Sequence, residues 1–306
     1  MANVLPRDKQ ISVLHHLVEG NTLRSTSRLS GVARNTITAL MVRFGEGCQR
    51  LLDSKLRGLT LDHVETDEIW SYVGKKQGRL TDEEKAERSD IGDVYTFTCL
   101  DQETKLIAAH VVGKRSADNA RRLMMQLAGR LNFPNPHAGD DHAFGTGGFR
   151  PIIQISTDGW PGYPEAVDLA FGPYARFGTI VKDYRNAEQP GRYAPPEMIG
   201  TVRRGITGIE TADEWSICTS HVERHNLTIR TLMKRFTRLG VGFSKCVENH
   251  AAAVAGFIAF YNFVWRTRYP DDSGRPGKLR PTAAMMAGVT NTLWSFTDLF
   301  DAAMAV

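Results

Sequence analysis

The chain has 306 residues, 42% of them apolar, which is enough to fill a real core in one large domain or two smaller ones and excludes an intrinsically disordered chain. Its four cysteines, Cys48, Cys99, Cys218 and Cys246, form no CxxC pair; neither a zinc ribbon nor a disulfide framework is indicated, and a reducing cytoplasm fits. The net charge is only +4 but uneven: residues 1–60 carry +5 and residues 221–280 carry +7, leaving the rest at −8, so two basic arms around an acidic middle suit a polyanionic partner.

The opening "MANVLPRDKQ" meets charge before any apolar run, so no signal peptide is expected, and the longest uncharged apolar stretch, 249–265, is shorter than the roughly 20 residues a membrane span needs. Ile11, Leu14 and Val18 stand at helical spacing ahead of Gly20. A second short helix, about 23–29, leads through Ser30-Gly31-Val32 into a third from 33 to 44, the pattern of a helix-turn-helix. In that motif the third helix offers Arg34, Asn35, Thr36, Thr38 and Arg43 to DNA, while Val32, Ile37 and Leu40 pack inward. Ala33 is a poor N-cap, and an ordinary three-helix packing unit would read the same way. Residues 46–62 read as a connector. The expected division is therefore a helix-turn-helix DNA-binding domain over 1–58 and a second domain over 59–306.

After the connector the apolar period changes to that of strands: "VETDEIWSYVG" at 64–74, "VYTFTCLD" at 94–101 and "KLIAAHVVG" at 105–113. The segment between the first two, "TDEEKAERSDIGD", holds six acids against two bases and reads as a solvated excursion. A helix is expected over 117–131, then the loop "NPHAGDDHAFGTGGFR", whose glycines lack phosphate-loop spacing. "PIIQIST" predicts a buried strand at 151–157, "PEAVDLAFG" a short helix and "FGTIVKDY" a fifth strand. Residues 185–216 show no clear period. From Lys245 to Trp265, apolar residues step by 4, 3, 4, 3, 4 and mark a core helix. Hairpin-linked strands followed by β-α units imply an α/β fold, a mixed sheet with helices on its faces.

Three carboxylates stand out. Asp67 lies inside the first strand and, by period two, shares a face with Ile69 and Val73, where a buried acid needs a partner; a hydrogen-bonded edge residue would do as well. Asp158 follows the fourth strand, where sheet ends commonly present ligand groups and where turns also begin. Glu223 sits in "TSHVERHN", the one acid between Trp215 and Val247, among Arg224, Arg230, Lys234, Arg235, Arg238 and Lys245. Ser220-x-x-Glu223 has the form of a capping box, worth about 1 kcal/mol to a helix. A face built only to hold phosphates loses by including an anion, and a divalent cation would account for it. Two Asp and one Glu are the oxygen ligands that hold two Mg2+ ions roughly 3.5–4 Å apart in phosphodiester cleavage. His221 and His225 raise a zinc alternative, but Glu223 lies about 200° around the helix from His221, and no HExxH order is present.

"ETDEIWSYVGKK", "TDGWPGY" and "TSHVERHNLTIRTLMKRFTRLGVGFSKCVENH" resemble the successive acid motifs of the insertion-sequence-one transposases of bacteria, members of the Asp-Asp-Glu superfamily. The resemblance runs from about Glu65 to the C-terminal helix, and the helix-turn-helix matches the DNA-binding part of that family. It implies a ribonuclease-H-like catalytic domain in which Asp67, Asp158 and Glu223 are catalytic metal ligands for Mg2+, with Mn2+ as an alternative. Arg224, Asn226, Arg230, Lys234 and Arg235 are expected at the DNA, and His221 and His225 behind the ligands. The implied function is cleavage at the ends of an insertion sequence and transfer of the freed 3′-OH into target DNA. Double-stranded DNA with terminal inverted repeats, target DNA and further copies of the chain are the implied partners, in the cytoplasm on the nucleoid and away from membranes. A DNA-binding regulator with an inactive nuclease-like domain, or a repair nuclease of the same fold, would share the basic arms.

Overall fold

The computed structural model describes residues 4–133, 152–185, 197–237, 240, 242–266, 268–270 and 276–305. Three helices come first: α1 (Arg7–Val18), α2 (Leu23–Ser30) and α3 (Arg34–Lys55). The Thr22 hydroxyl caps α2 by accepting from Ser25 N–H at 3.0 Å, and Gly31 ends it at φ 70°, a left-handed turn that glycine enters without steric cost. Where a connector was expected, α3 runs on to Lys55. Its inward spacing continues through Phe44, Cys48, Leu51 and Leu52, which are buried; the polar residues between them face outward and disguise the period.

Two glycines let α3 lie against other helices. A Cβ on Gly45 would stand 2.0 Å from the carbonyl oxygen of Ala252, and one on Gly47 would stand 1.9 Å from that of Ala303. Glycine inside a helix costs about 1 kcal/mol relative to alanine, and here it permits backbone-to-backbone approach. Further along, Asp53 of α3 is ion-paired with the buried Arg130, whose guanidinium also donates to Ala108 O at 2.7 Å. The core is accordingly continuous, from Val13 of α1 through the sheet to Ala303 near the C-terminus.

The strands are β1 (His63–Val73), β2 (Gly92–Asp101), β3 (Ile107–Gly113), β4 (Ile153–Asp158), β5 (Ala175–Arg185) and β6 (Glu197–Thr207), forming one sheet in the order β3-β2-β1-β4-β5-β6. The pairs β1–β2, β2–β3 and β5–β6 are antiparallel, whereas β1–β4 and β4–β5 are parallel. The turn between β2 and β3 is closed by Asp101, whose Oδ2 accepts from Thr104 N–H at 2.8 Å and Oγ1 at 2.7 Å. The short helix α4 (Asp82–Glu87) interrupts the acidic excursion, where Thr81 and Glu84 make a reciprocal capping box. The helices α5 (Ala117–Ala128) and α6 (Tyr163–Phe171) pack on one face of the sheet.

The opposite face is covered by α7 (Ser220–Leu232) and α8 (Val247–Phe263), with α3 packed beyond α8. Asn262, in the apolar C-terminal half of α8, is fully buried. Its amide donates to Ile107 O and accepts from Ile107 N–H, both at 3.0 Å, and so satisfies the backbone at the outer edge of β3. A two-stranded ribbon, β7 (Arg268–Pro270) with β8 (Pro276–Leu279), and the helices α9 (Ala283–Met286) and α10 (Phe296–Ala305) complete the described elements.

β6 falls in the stretch without a readable period. It lies at the sheet edge with Met198, Ile199, Val202 and Ile206 exposed, so no buried face imposes alternation on its sequence. The glycine-containing loop at 135–150 lies outside the described residues. Among the described residues no helix is long and apolar enough to cross a membrane.

Candidate active site

β1 and β4 set the site. Their parallel ladder ends at Thr66 opposite Thr157, which brings the next residues on each strand, Asp67 and Asp158, level with one another. Asp67 Oδ1 accepts from Glu68 N–H at 2.8 Å, and Oδ2 accepts from the Asn226 amide of α7 at 2.7 Å. Burial pushes the Asp67 carboxyl up to about 6; the Glu68 N–H opposes this, Asp158 and Glu223 add to it by repulsion, and Lys182 offsets part. Asp158 accepts from Trp160 N–H at 3.0 Å, and its other oxygen lies 3.4 Å from Arg115.

Glu68, next to Asp67 in the chain, belongs to the same group. Its side chain is 2% exposed, Arg115 donates to its Oε2 at 3.1 Å, and burial pushes its carboxyl up to about 7. The buried Tyr163 hydroxyl lies beside it, the one group placed to donate to Glu68 Oε1, though not in good hydrogen-bond geometry. Asp67, Glu68 and Asp158 each offer an oxygen within 4.8 Å of the others, an all-oxygen donor set suited to a hard divalent cation. Glu68 was legible in the sequence as an acid in an apolar strand, but the alternation of faces separates it from Asp67.

Glu223, on α7, lies outside this ligand-spaced group but near enough to Asp67 to raise its pKa by repulsion. Its Oε1 is ion-paired with Lys182 of β5 and accepts from the Thr219 hydroxyl at 2.7 Å. The capping box expected from Ser220 and Glu223 does not form: Thr219 is the N-cap position, and no local side chain caps the helix. The cap comes instead from β1. Glu65 is fully buried; its Oε2 accepts from the N–H groups of His221 and Val222 at 2.8 and 2.9 Å, and His221 Nδ1 lies 2.6 Å from its Oε1. Glu65 thereby fixes the start of α7, and so the placement of Glu223, while placing a negative charge at the positive end of the helix. Glu223 is left free of a capping role.

The remaining residues singled out from the sequence divide by placement. His221 joins Glu65, and His225 is buried edge-on to the Tyr261 ring at 4.3 Å, where burial lowers its pKa to about 3 and keeps it neutral. The two histidines do not converge: among the described residues the second group with ligand spacing is Glu65, Cys218 and His221, without His225. Asn226 is turned inward onto Asp67, and Arg235 inward onto Ser244 Oγ at 2.9 Å and Asn249 O at 3.1 Å. Arg224 and Lys234 are exposed and Arg230 is partly buried. On α3, Arg34, Asn35 and Thr36 are exposed; Asn35, Thr38 and Arg43 line a shallow groove of about 500 Å³ whose Arg43 is held by Gln10 at 2.8 Å.

The two raised carboxyls carry a pH signature. A folded-state pKa above the unfolded value means that the native state binds more protons, so stability falls as pH rises through the window from about 4 to 7. The Asp67→Asn, Glu68→Gln double variant should match the parent in metal-free urea unfolding at pH 4. At pH 8 it should exceed the parent by roughly 3 kcal/mol or more.

With this geometry in place, the likenesses to known proteins become informative. Residues 211–264, which span α7 and all of α8, match the family model described as IS1 transposase. By sequence the chain is similar to IS1 transposases. It is 24% identical over 195 residues to the insertion element IS1 2 protein InsB of Escherichia coli (strain K12), covering 64% of this chain and 72% of that protein. It is 23% identical to the insertion element IS1 protein InsB of Shigella flexneri, covering 64% of this chain and 92% of the relative. Among solved structures, a pre-cleavage Mos1 transpososome shows 11% identity and a TM-score of 0.23, covering 58% of this chain and 60% of that one. The IS1 window includes Glu223 and its neighbours Thr219, His221 and Asn226, so the family likeness falls on the helix that overhangs the two aspartates.

Proposed function

We propose that the chain is a DNA transposase that cleaves at the ends of an insertion sequence and joins the freed 3′-OH to target DNA. The observation that carries this reading is convergence: Asp67 and Asp158 stand level on neighbouring parallel strands, and Glu223 is close enough above them to raise the proton affinity of Asp67. The strand order β3-β2-β1-β4-β5, antiparallel through β1 and parallel beyond it, with acids on β1 and at the end of β4, supports a ribonuclease-H-like catalytic domain over 59–306.

The residues present fit a divalent cation. Asp67, Glu68 and Asp158 offer carboxylate oxygens within 4.8 Å of one another, and Glu223, outside that group, is near enough to Asp67 to raise its proton affinity. Asp67, Asp158 and Glu223 would hold the metal, Mg2+ or Mn2+, whose chemistry when bound is to activate an attacking oxygen and stabilise the leaving one. The chain's own groups prepare the place. Asn226 fixes the Asp67 carboxylate, while Thr219 and Lys182 hold Glu223. Arg224 and Lys234, exposed on and just after α7, would grip phosphate next to the acids. The helices of 1–58 would read DNA as a helix-turn-helix, through Arg34, Asn35, Thr36, Thr38 and Arg43 at the open end of α3. At least two copies would act together on the two element ends, in the cytoplasm on the nucleoid.

Mg2+-dependent nicking of DNA carrying the terminal repeats, followed by detection of joined products, tests this reading. Binding without nicking at any divalent ion concentration would favour the regulator instead. For the N-terminal helices, Arg34→Ala and Arg43→Ala should each weaken DNA binding and reduce the salt dependence of the association constant by about one phosphate contact, measured by fluorescence anisotropy across salt. An unchanged salt slope in both variants would remove α3 from the DNA interface.

A further inference from the structure

The geometry points to Glu68 as a fourth carboxylate of the site, one that ligates a divalent cation together with Asp67 and Asp158 in the place where the Arg115 guanidinium lies in this structure. The inference rests on the transposase reading above and adds to it a residue outside the Asp67, Asp158 and Glu223 set.

Three observations carry it. First, a Glu68 oxygen comes within 4.8 Å of both aspartates, although strand alternation sends Asp67 and Glu68 to opposite faces of β1. The β1–β4 ladder stops at Thr66 and Thr157, so beyond it no backbone of β4 separates the two faces, and Asp158 is reachable from either. Second, Glu68 is only half satisfied. Its side chain is 2% exposed and Arg115 takes Oε2, while Oε1 has beside it only the Tyr163 hydroxyl, which is not in good hydrogen-bond geometry. A poorly bonded oxygen on a buried carboxylate is costly, and a bound cation would offset that cost. Third, Arg115 bridges the same two acids, at 3.1 Å from Glu68 and 3.4 Å from Asp158, and its guanidinium lies 4.9 Å from the centre of the Trp160 ring. A cation already sits between these acids, held on one side by an aromatic face and partly exposed, which suits a counter-charge that yields when another cation enters.

The test is a Mn2+ titration of the full chain without DNA at pH 8, following free Mn2+ by electron paramagnetic resonance, with thermal melting as the check on folding. Glu68→Gln, of equal volume, should weaken Mn2+ binding about tenfold or more, as Asp158→Asn does. Glu68→Asp, which keeps the charge, should recover part of the loss. Arg115→Met should tighten binding severalfold, a change that a merely structural arginine would not produce. Glu68→Gln binding Mn2+ as the parent does, or Arg115→Met binding it more weakly, would overturn the assignment of Glu68 alone. A parent that binds no Mn2+ would overturn the transposase chemistry and this inference together. Were Glu68→Gln not to fold, the Arg115→Met titration would decide by the direction of its shift.

Discussion

Asp67→Asn, Asp158→Asn and Glu223→Gln are each expected to reduce Mg2+-dependent nicking on the order of 10²–10³-fold or more while leaving DNA binding within about twofold of the parent. The separation follows from placement. Asp67 and Asp158 stand at the end of the β1–β4 ladder and Glu223 on α7, which packs on Asp67 through Asn226, whereas the exposed bases of α3, Arg34 and Arg43, stand on another helix. Each substitution keeps side-chain volume and removes one charge. The Asp67 carboxyl is raised first by burial and then by its acidic neighbours, so neutralising it removes a buried charge and should not unfold the chain. Nicking by Glu223→Gln at the parental rate would leave Glu223 as a surface partner of Lys182 and nothing more.

Glu65→Ala should cost about 3–5 kcal/mol of folding stability, a large fraction of the 5–15 kcal/mol that holds a typical domain together. Glu65 is fully buried and binds two backbone N–H groups and one imidazole at the start of α7. Truncation leaves the two N–H groups without their acceptor at the buried start of α7, and so leaves the helix without its cap. Glu65→Gln, which can still accept from the two N–H groups, should lose roughly half as much. Urea unfolding of the three proteins measures both. Because α7 carries Glu223 and Asn226, Glu65→Ala should also weaken nicking in whatever fraction remains folded. A loss below about 1 kcal/mol for Glu65→Ala would show that α7 is held in place by its packing alone.

Most of the sheet was legible because burial writes itself into sequence. β1, β2, β3, β4 and β5 each alternate or run apolar, and the α8 helix shows its 3–4 stepping. Legibility failed where burial does not dictate pattern or where partners are distant. β6 is exposed along its length and left no period; α3 beyond Phe44 alternates buried glycine and cysteine with charged residues and so resembled a connector. At the site, Asp67, Asp158 and Glu223 announced themselves as acids in the wrong surroundings. Glu65 and Glu68 sit in the same strand, but their roles depend on α7 and on the end of β4, more than 80 residues away along the chain. Likewise Asn226 and Arg235 sit in a basic, polar segment and resembled DNA contacts; only the packing of α7 against β1 and of Arg235 against Ser244 turns them inward. The local signal at Ser220 and Glu223 even pointed to a capping box that the tertiary cap from Glu65 replaces.

The most direct measurement is the structure of the chain crystallised with Mn2+, with anomalous diffraction locating the ions. The account predicts anomalous density in contact with Asp67 and Asp158, and Glu223 released from Lys182 to join the same ion pair. Density confined to other carboxylates, or Glu223 still bound to Lys182 while the aspartates hold nothing, would contradict it.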